Sequence, residues 1–409
     1  MSKFWNRNFT ILTFGSFVSA LGSAAANVAF GILIYLETKS PLILAIFIIM
    51  NIIPRVFTNF LIGPFIDRNS RVKIIYFIDF FYFIFFSFLA VILFRGYFNI
   101  YVFTIVGAGL GVVDTFYQIA YMSLFPEVIQ GKNHSKAYSI SSLIWPISAA
   151  IMAPIAAYLI DNFVYGIAFL MTFNAITFLV TAIMETTIKV EEHLNTSKPV
   201  RFKFIIDLKE GFKYYRHERG ILGIALLFMV FSFVYAISGL LRMPFFVEHE
   251  IFTIQHFSYL VSAGAIGRVI GGLLHYKIKI PKEKKYLIAI TVYFTVEVLG
   301  AITLLSPYFV MVGFSFIIGL LSVTSFNIRM SATQTYVHSS IRGRVNSVFQ
   351  LLWSIGAIVG TLLAGLVAEY TNIGYEWIIF YAAFISIPTI FLIPVRMRKE
   401  FENIYNVDL

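Results

Sequence analysis

Six charged side chains stand deep in stretches that are otherwise apolar: Arg55, Asp114, Arg242, Arg268, Glu297 and Arg329. A charge at the centre of a membrane helix costs at least about 2.5–3.5 kcal/mol, so such residues pair with one another or work. A carboxyl in that setting can bind and release a proton, and a guanidinium can neutralise it or clamp an anion. Asp114 is the first candidate for proton coupling, with Arg329 and Arg55 as its candidate partners. Glu297 is the reserve candidate, although a pair with Arg268 on the neighbouring stretch suits it better than coupling. A structural Asp–Arg pair that never changes its protonation state is the competing reading.

Other chemistries lack the residues they need. The chain has no cysteine, which excludes disulfide scaffolds, thiolate metal sites and cysteine nucleophiles. None of the seven His stands at metal-ligand spacing, and no phosphate-binding glycine loop with its lysine occurs. We therefore expect no metal, no cofactor, no ATP-driven step and no enzyme activity. The net charge of +10 would suit nucleic acid only if the basic residues shared a soluble face, and their placement along the chain argues against such a partner.

The elements that hold these residues are set by composition. Of 409 residues, 59% are hydrophobic and only 13% charged, against roughly 25% charged in ordinary globular domains. So few charges cannot cover a water-facing surface of this size, and the lipid bilayer is the expected partner. A helix needs about 20 apolar residues to cross the hydrocarbon core. Twelve stretches qualify: 9–36, 42–66, 74–94, 98–125, 138–160, 164–186, 221–247, 256–276, 286–305, 308–336, 345–369 and 375–395. With the N-terminus inside, 25 of the 31 Lys and Arg fall in inner segments, two in outer loops and four within spans. That asymmetry predicts cytoplasmic N- and C-termini.

The polar, basic stretch 188–220 separates a first half, 1–187, from a second, 221–409. Phe202 to Tyr215 within it could form an amphipathic helix on the inner leaflet or a solvated linker. Sliding the chain on itself by 208 residues aligns Ile62-Gly63 with Ile270-Gly271, Ile144-Trp145 with Leu352-Trp353, Lys136 with Arg344 and Ser139 with Ser347. One offset joining separate regions predicts an all-α integral membrane protein built as two six-helix halves related by pseudo-two-fold symmetry.

Polar residues recur at three- and four-residue spacing on four of the spans, hence along one face of each. Span 1 has Ser16, Ser19, Ser23 and Asn27; span 4 has Asp114, Gln118 and Tyr121. Span 7 has Ser232, Tyr235, Ser238 and Arg242; span 10 has Ser322, Ser325, Arg329, Thr333 and Tyr336. Spans 3 and 12 are nearly all Phe, Ile, Leu and Ala, as lipid-facing helices should be.

After span 2 stands Gly63-Pro64-Phe65-Ile66-Asp67-Arg68-Asn69-Ser70-Arg71-Val72-Lys73. It resembles the cytoplasmic loop motif of the major facilitator superfamily, G-x-x-x-D-R-x-G-R-(K/R)-(K/R), with Ser70 and Val72 as departures. Together with Gly22, Thr38-Lys39-Ser40, Pro54, Asp79 and Ile341 to Ser347, the chain is similar to the macrolide-exporter and enterobactin-exporter branch of drug–proton antiporters. Ala149 to Ala157, with Pro154, resembles the antiporter pattern of span 5 with Ala in place of Gly, although close helix packing accounts for small residues equally well.

The resemblance implies that Gly63, Asp67, Arg68, Arg71 and Asp79 gate the cytoplasmic side, with Asp79 a candidate partner for the two arginines. It also implies that spans 1, 4, 7 and 10 line a central cavity. Ser23, Asn27, Gln118, Tyr121, Tyr235, Arg242, Ser325, Arg329 and Tyr336 are then candidate substrate contacts. The expected function is secondary active, proton-coupled efflux of a small amphipathic organic molecule across the plasma membrane by alternating access, with a monomer sufficient. Two alternatives stay open: uptake of a polar or anionic nutrient held by Arg55, Arg242 and Arg329, and a non-transporting membrane sensor.

Overall fold

A computed structural model describes residues 4–130, 133–192, 204–277 and 280–406. Among these residues there is no β-strand, and twelve helices are long and apolar enough to cross a membrane. They are α1 (Arg7–Thr38), α2 (Pro41–Leu61), α3 (Arg71–Phe94), α4 (Ile100–Val128), α5 (His134–Asn162) and α6 (Gly166–Glu185). Then follow α7 (Arg219–Glu248), α8 (Ile254–Lys277), α9 (Lys285–Ile302), α10 (Tyr308–Tyr336), α11 (Ser339–Tyr370) and α12 (Tyr375–Ile390).

The helix ends follow local chemistry more closely than hydropathy does. Asn6, Ser70, Asn99 and His338 cap α1, α3, α4 and α11 through their side chains, each satisfying an N–H that the first turn leaves orphaned. The His338 cap starts α11 six residues before the apolar run begins, so Arg342 and Arg344 lie on the helix and not in a loop. The stretch expected to be one helix to residue 66 stops at Leu61, and Gly63–Ile66 forms a separate turn. Pro64 has no N–H with which to continue the ladder.

Two compact units account for the chain: Met1–Lys39 with Ile46–Phe202, and Ser40–Ala45 with Lys203–Leu409. In the first, α1 packs on α5 and α6, and α3 packs on α6. In the second, α7 packs on α11 and α12, and α9 packs on α12, which repeats the same pairings six helices later. Helix α3 shows how each span divides its faces. Tyr82, Phe86 and Leu89 are buried, while Phe77, Ile84 and Phe88 are exposed, as suits a helix with one face on protein and the other on lipid. Phe86 stacks on Phe178 of α6 with ring centroids 5.8 Å apart.

Small residues set the closest approach in the second unit. A Cβ on Gly356 or Gly360 of α11 would run into the backbone of Met229 or Phe233 of α7, so the two helices touch main chain to main chain there.

The linker helix forms over Phe204–His217 and docks on α11; Phe202 itself lies outside the described residues. Tyr215 is buried, and its hydroxyl donates to the Val345 carbonyl at 3.1 Å. Burial pushes this hydroxyl above the usual tyrosine range, so it stays a donor. Glu210 pairs with Arg344 at 2.6 Å.

A C-terminal helix, Arg398–Tyr405, was not expected from hydropathy because it is a short amphipathic segment. It buries Phe401, Ile404 and Tyr405, and the Tyr405 hydroxyl meets that of Tyr293 at 2.9 Å. Phe401→Ala should cost about 3–5 kcal/mol through the lost contacts and the cavity left behind. A thermal melt of the detergent-solubilised protein reads it, and an unchanged midpoint would contradict a structural role for this helix.

Candidate functional site

Asp114 on α4 is engaged from both sides within the first unit. Its Oδ1 accepts from the Tyr82 hydroxyl of α3 at 2.5 Å, and its Oδ2 accepts from Arg55 Nη2 of α2 at 3.2 Å. The same Nη2 also donates to Asn51 Oδ1 at 3.0 Å, and Asn51 Nδ2 donates to the Gly107 carbonyl at 3.0 Å. Arg55 is therefore held by its own helix and aimed at α4. The side chains of Arg55 and Asp114 remain 52% and 41% exposed, so the pair sits on a face that the first unit's own helices leave open. Asn27 and Gln118 are exposed as well, and Ser23 is half-buried; Asn27 Nδ2 donates to the Ser23 carbonyl at 2.9 Å. Tyr121 lies 3.4 Å from Ser141 Oγ.

In the second unit Arg329 of α10 is buried in an aromatic box. Its guanidinium lies 4.3 Å from the ring centre of Phe349, 4.9 Å from Phe228 and 5.6 Å from Phe326. Its Nε makes no hydrogen bond. Ring quadrupoles attract such a cation, which explains how a buried charge is tolerated here. Ser325 stands beside Tyr293, Tyr235 is exposed on α7, and the Tyr336 hydroxyl donates to Glu218 at 3.0 Å. Of the two partners expected for Asp114, Arg55 is the one that engages it from its own unit.

Two pairings expected within a unit do not form. Glu297 does not meet Arg268: its polar neighbour is Ser386 of α12, while Arg268 lies near Arg242 of α7. Helix α9 packs on α12, which turns Glu297 away from α8. Nor does Asp79 meet the loop arginines. Arg71, at the first turn of α3, pairs with Glu127 of α4 and lies 3.9 Å from Asp67. Asp79 is two turns further along, wholly buried, beside Thr181 and Glu185 of α6.

The loop motif is thus tied down inside the first unit. Glu192 accepts from Ser70 Oγ and from the Arg71 backbone N–H, both at 2.5 Å, which places a carboxylate on the positive end of α3. Gly63 opens the single turn before it, and Asp67 and Arg68 are exposed. Arg71→Ala would leave Glu127 largely buried without its cation. We expect a loss on the order of 2–4 kcal/mol, moderated by the exposure Glu127 retains, and recovery when Glu127→Gln is added. Equal melting midpoints for wild type and Arg71→Ala would contradict this.

The spacing of polar residues missed Tyr82, Asn51, Glu127, Glu192 and Glu185. Tyr82 hides in a Phe-rich span, and Glu185 stands at the end of its helix, where it reads as a boundary. A groove of about 470 Å³ opens on the α3–α4 side, lined by Phe65, Lys73, Phe77, Phe81 and Phe116 among others, and it contains none of the candidate residues from the polar stripes.

A family model described as transmembrane secretion effector matches residues 1–405. The chain belongs to that family. It is a membrane transporter with the major facilitator fold. Macrolide efflux protein A of Streptococcus pyogenes is 22% identical over 389 residues, which cover 92% of this chain and 93% of that protein. Among solved structures, the nucleoside transporter NupG superposes with a TM-score of 0.70 at 15% identity, over 96% of this chain and 100% of that one. A bacterial homologue of the human lysosomal transporter Spinster gives 0.65 at 13% identity, over 97% and 96%. A bacterial homologue of the iron transporter ferroportin gives 0.63 at 15%, over 97% and 99%. These structures share the fold with this chain.

Proposed function

We propose that the chain exports amphipathic organic molecules across the plasma membrane in exchange for protons, by alternating access between its two six-helix halves. The observation that carries this reading is the Asp114–Arg55 ion pair, braced by Tyr82 on an open face within the membrane span. Protonating Asp114 removes its charge and releases Arg55, so one proton changes the electrostatics of the face from a neutral pair to a free cation. The macrolide efflux relative supports the direction of transport.

In this reading Asp114 and Arg55 couple the proton, and Arg329 contributes a fixed positive charge from the second half. Ser23, Asn27, Gln118, Tyr121, Tyr235, Arg242, Ser325 and Tyr336 contact the substrate. Gly63, Asp67, Arg68 and Arg71 work as the cytoplasmic gate, with Glu127 and Glu192 holding Arg71 in place. The excess of inner Lys and Arg supports cytoplasmic termini, and the segment 188–220 links the halves.

The test is drug accumulation in energised cells. Cells producing the chain should hold less of a fluorescent macrolide than cells without it, and an uncoupler should abolish the difference. Greater accumulation in the producing cells would overturn export. One observation favours a second reading, in which the substrate is an anion: Arg242 lies near Arg268, and its Nε is buried without a partner. Energised accumulation of an organic anion would favour that reading.

A further inference from the structure

Helix α6 carries Asn174, Thr177, Thr181 and Glu185, spaced so that all four share one face. All are buried. The face lies against α1 where Gly15 and Gly22 leave room: a Cβ on Gly15 would stand 3.3 Å from Thr181 Cγ2 and 3.9 Å from Glu185 Oε1. From α3, Asp79 reaches the same place, with Thr181 and Glu185 as its side-chain neighbours. Asp79 and Glu185 are both 0% exposed.

Nothing there balances two negative charges. All four carboxyl oxygens lack a hydrogen bond. The Thr181 hydroxyl stands beside Asp79; it carries no charge, and its single proton is shared with the Thr177 and Phe178 carbonyls at 2.8 and 3.0 Å. No Lys, Arg or His is among the neighbours of either acid in the described residues. From α1 the uncharged Ser16 and Ser19 stand beside Tyr121 and Tyr117, and the hydroxyl of Thr13 is buried. From α4 come Tyr117 and Tyr121, and the buried Tyr117 hydroxyl has no partner although it lies within electrostatic reach of both acids. From α5 the titratable group is Tyr138, one residue further away beside Tyr121.

Two ionised carboxylates side by side in a dry, cation-free interior repel each other and forgo their solvation. A proton bound to one of them removes one charge and supplies the missing donor, an O–H from one carboxyl to the other. The contrast with Asp114 is direct, because that carboxylate has a hydroxyl donor on one oxygen and a guanidinium on the other.

We infer that Asp79 and Glu185 form a shared proton-binding site inside the first unit, which loads and unloads during transport. Tyr82 stands one turn along α3 from Asp79 and donates to Asp114, so it ties the buried pair to the exposed one. Negative charge at either place opposes negative charge at the other. A proton that leaves the pair therefore favours a proton on Asp114. The transport role rests on the proton-coupled reading above; the proton site itself does not.

Infrared difference spectroscopy of the full chain in lipid reads the protonated carboxyl directly. Wild type and Asp114→Asn should both show a carboxylic-acid C=O band that shifts in heavy water and declines as pH rises. The double variant Asp79→Asn, Glu185→Gln should lose it. Both substitutions copy the shape of a protonated carboxyl, and should the double variant fail to fold, each single variant must shift or remove the band. A band that is absent in wild type, or unchanged in the variants, overturns the site. A band that disappears on adding sodium at constant pH overturns it in favour of a metal cation. Drug flux in liposomes separates the two claims. Flux indifferent to the proton gradient, with the band titrating normally, sinks proton coupling and leaves the site. Gradient-driven flux unaltered in Glu185→Gln sinks the role of the pair in transport.

Discussion

Asp114→Asn is expected to reduce gradient-driven substrate accumulation to the level of protein-free liposomes while leaving substrate–substrate exchange intact. The amide keeps the shape of the side chain and can still meet the Tyr82 hydroxyl and Arg55, but it cannot take up a proton. A gradient moves an equilibrium only through groups that bind protons differently in the two states; without Asp114 the buried pair has no exposed carboxylate to exchange its proton with, and the halves can still rock around bound substrate. Counterflow in the variant is the internal control for folding. If both activities fall together, Asp114 is structural; if neither falls, coupling lies elsewhere and the Asp79–Glu185 pair becomes the first place to look.

The second large effect is on assembly. Gly360→Leu should prevent recovery of folded, monodisperse protein, because even a Cβ at this position would overlap the Phe233 backbone. The main-chain contact between α7 and α11 cannot yield without separating two helices that bury much of the second unit's core. Gly313→Leu on α10 is the matched control: nothing lies within 4 Å of a Cβ there, and it should behave as wild type. Size-exclusion profiles of the two variants read the difference, and similar profiles would contradict the packing described.

The twelve spans were legible because the bilayer imposes a length and a composition on every crossing helix, and α1 to α12 stand where the apolar runs predicted, with ends that differ by up to six residues. What hydropathy could not show was set by hydrogen bonding. His338 starts α11 early, Pro64 breaks the segment after α2, and the eight residues Arg398–Tyr405 fold only because Phe401, Ile404 and Tyr405 find a core to enter. Asp114 was legible as an acid on a polar stripe. Its partner Tyr82 was not, because a tyrosine among phenylalanines carries no signal until the rotation of α3 is known. The same rotation decides that Asp79 faces Glu185 on α6 and not the loop arginines, and periodicity along one helix holds no information about which residues a neighbouring helix brings opposite. Arg329 was legible as a charge on a polar stripe; the phenylalanines that surround it within its own unit were not, and their ring faces help to hold a buried cation.

The most direct test of proton-coupled transport is to watch the proton. Wild-type protein in liposomes that contain a pH-sensitive dye, under an imposed proton gradient, is given a macrolide. Proton movement that begins on adding the drug, and is absent from Asp114→Asn liposomes, is the result this account predicts. Drug flux with no accompanying proton movement in the wild type would contradict it.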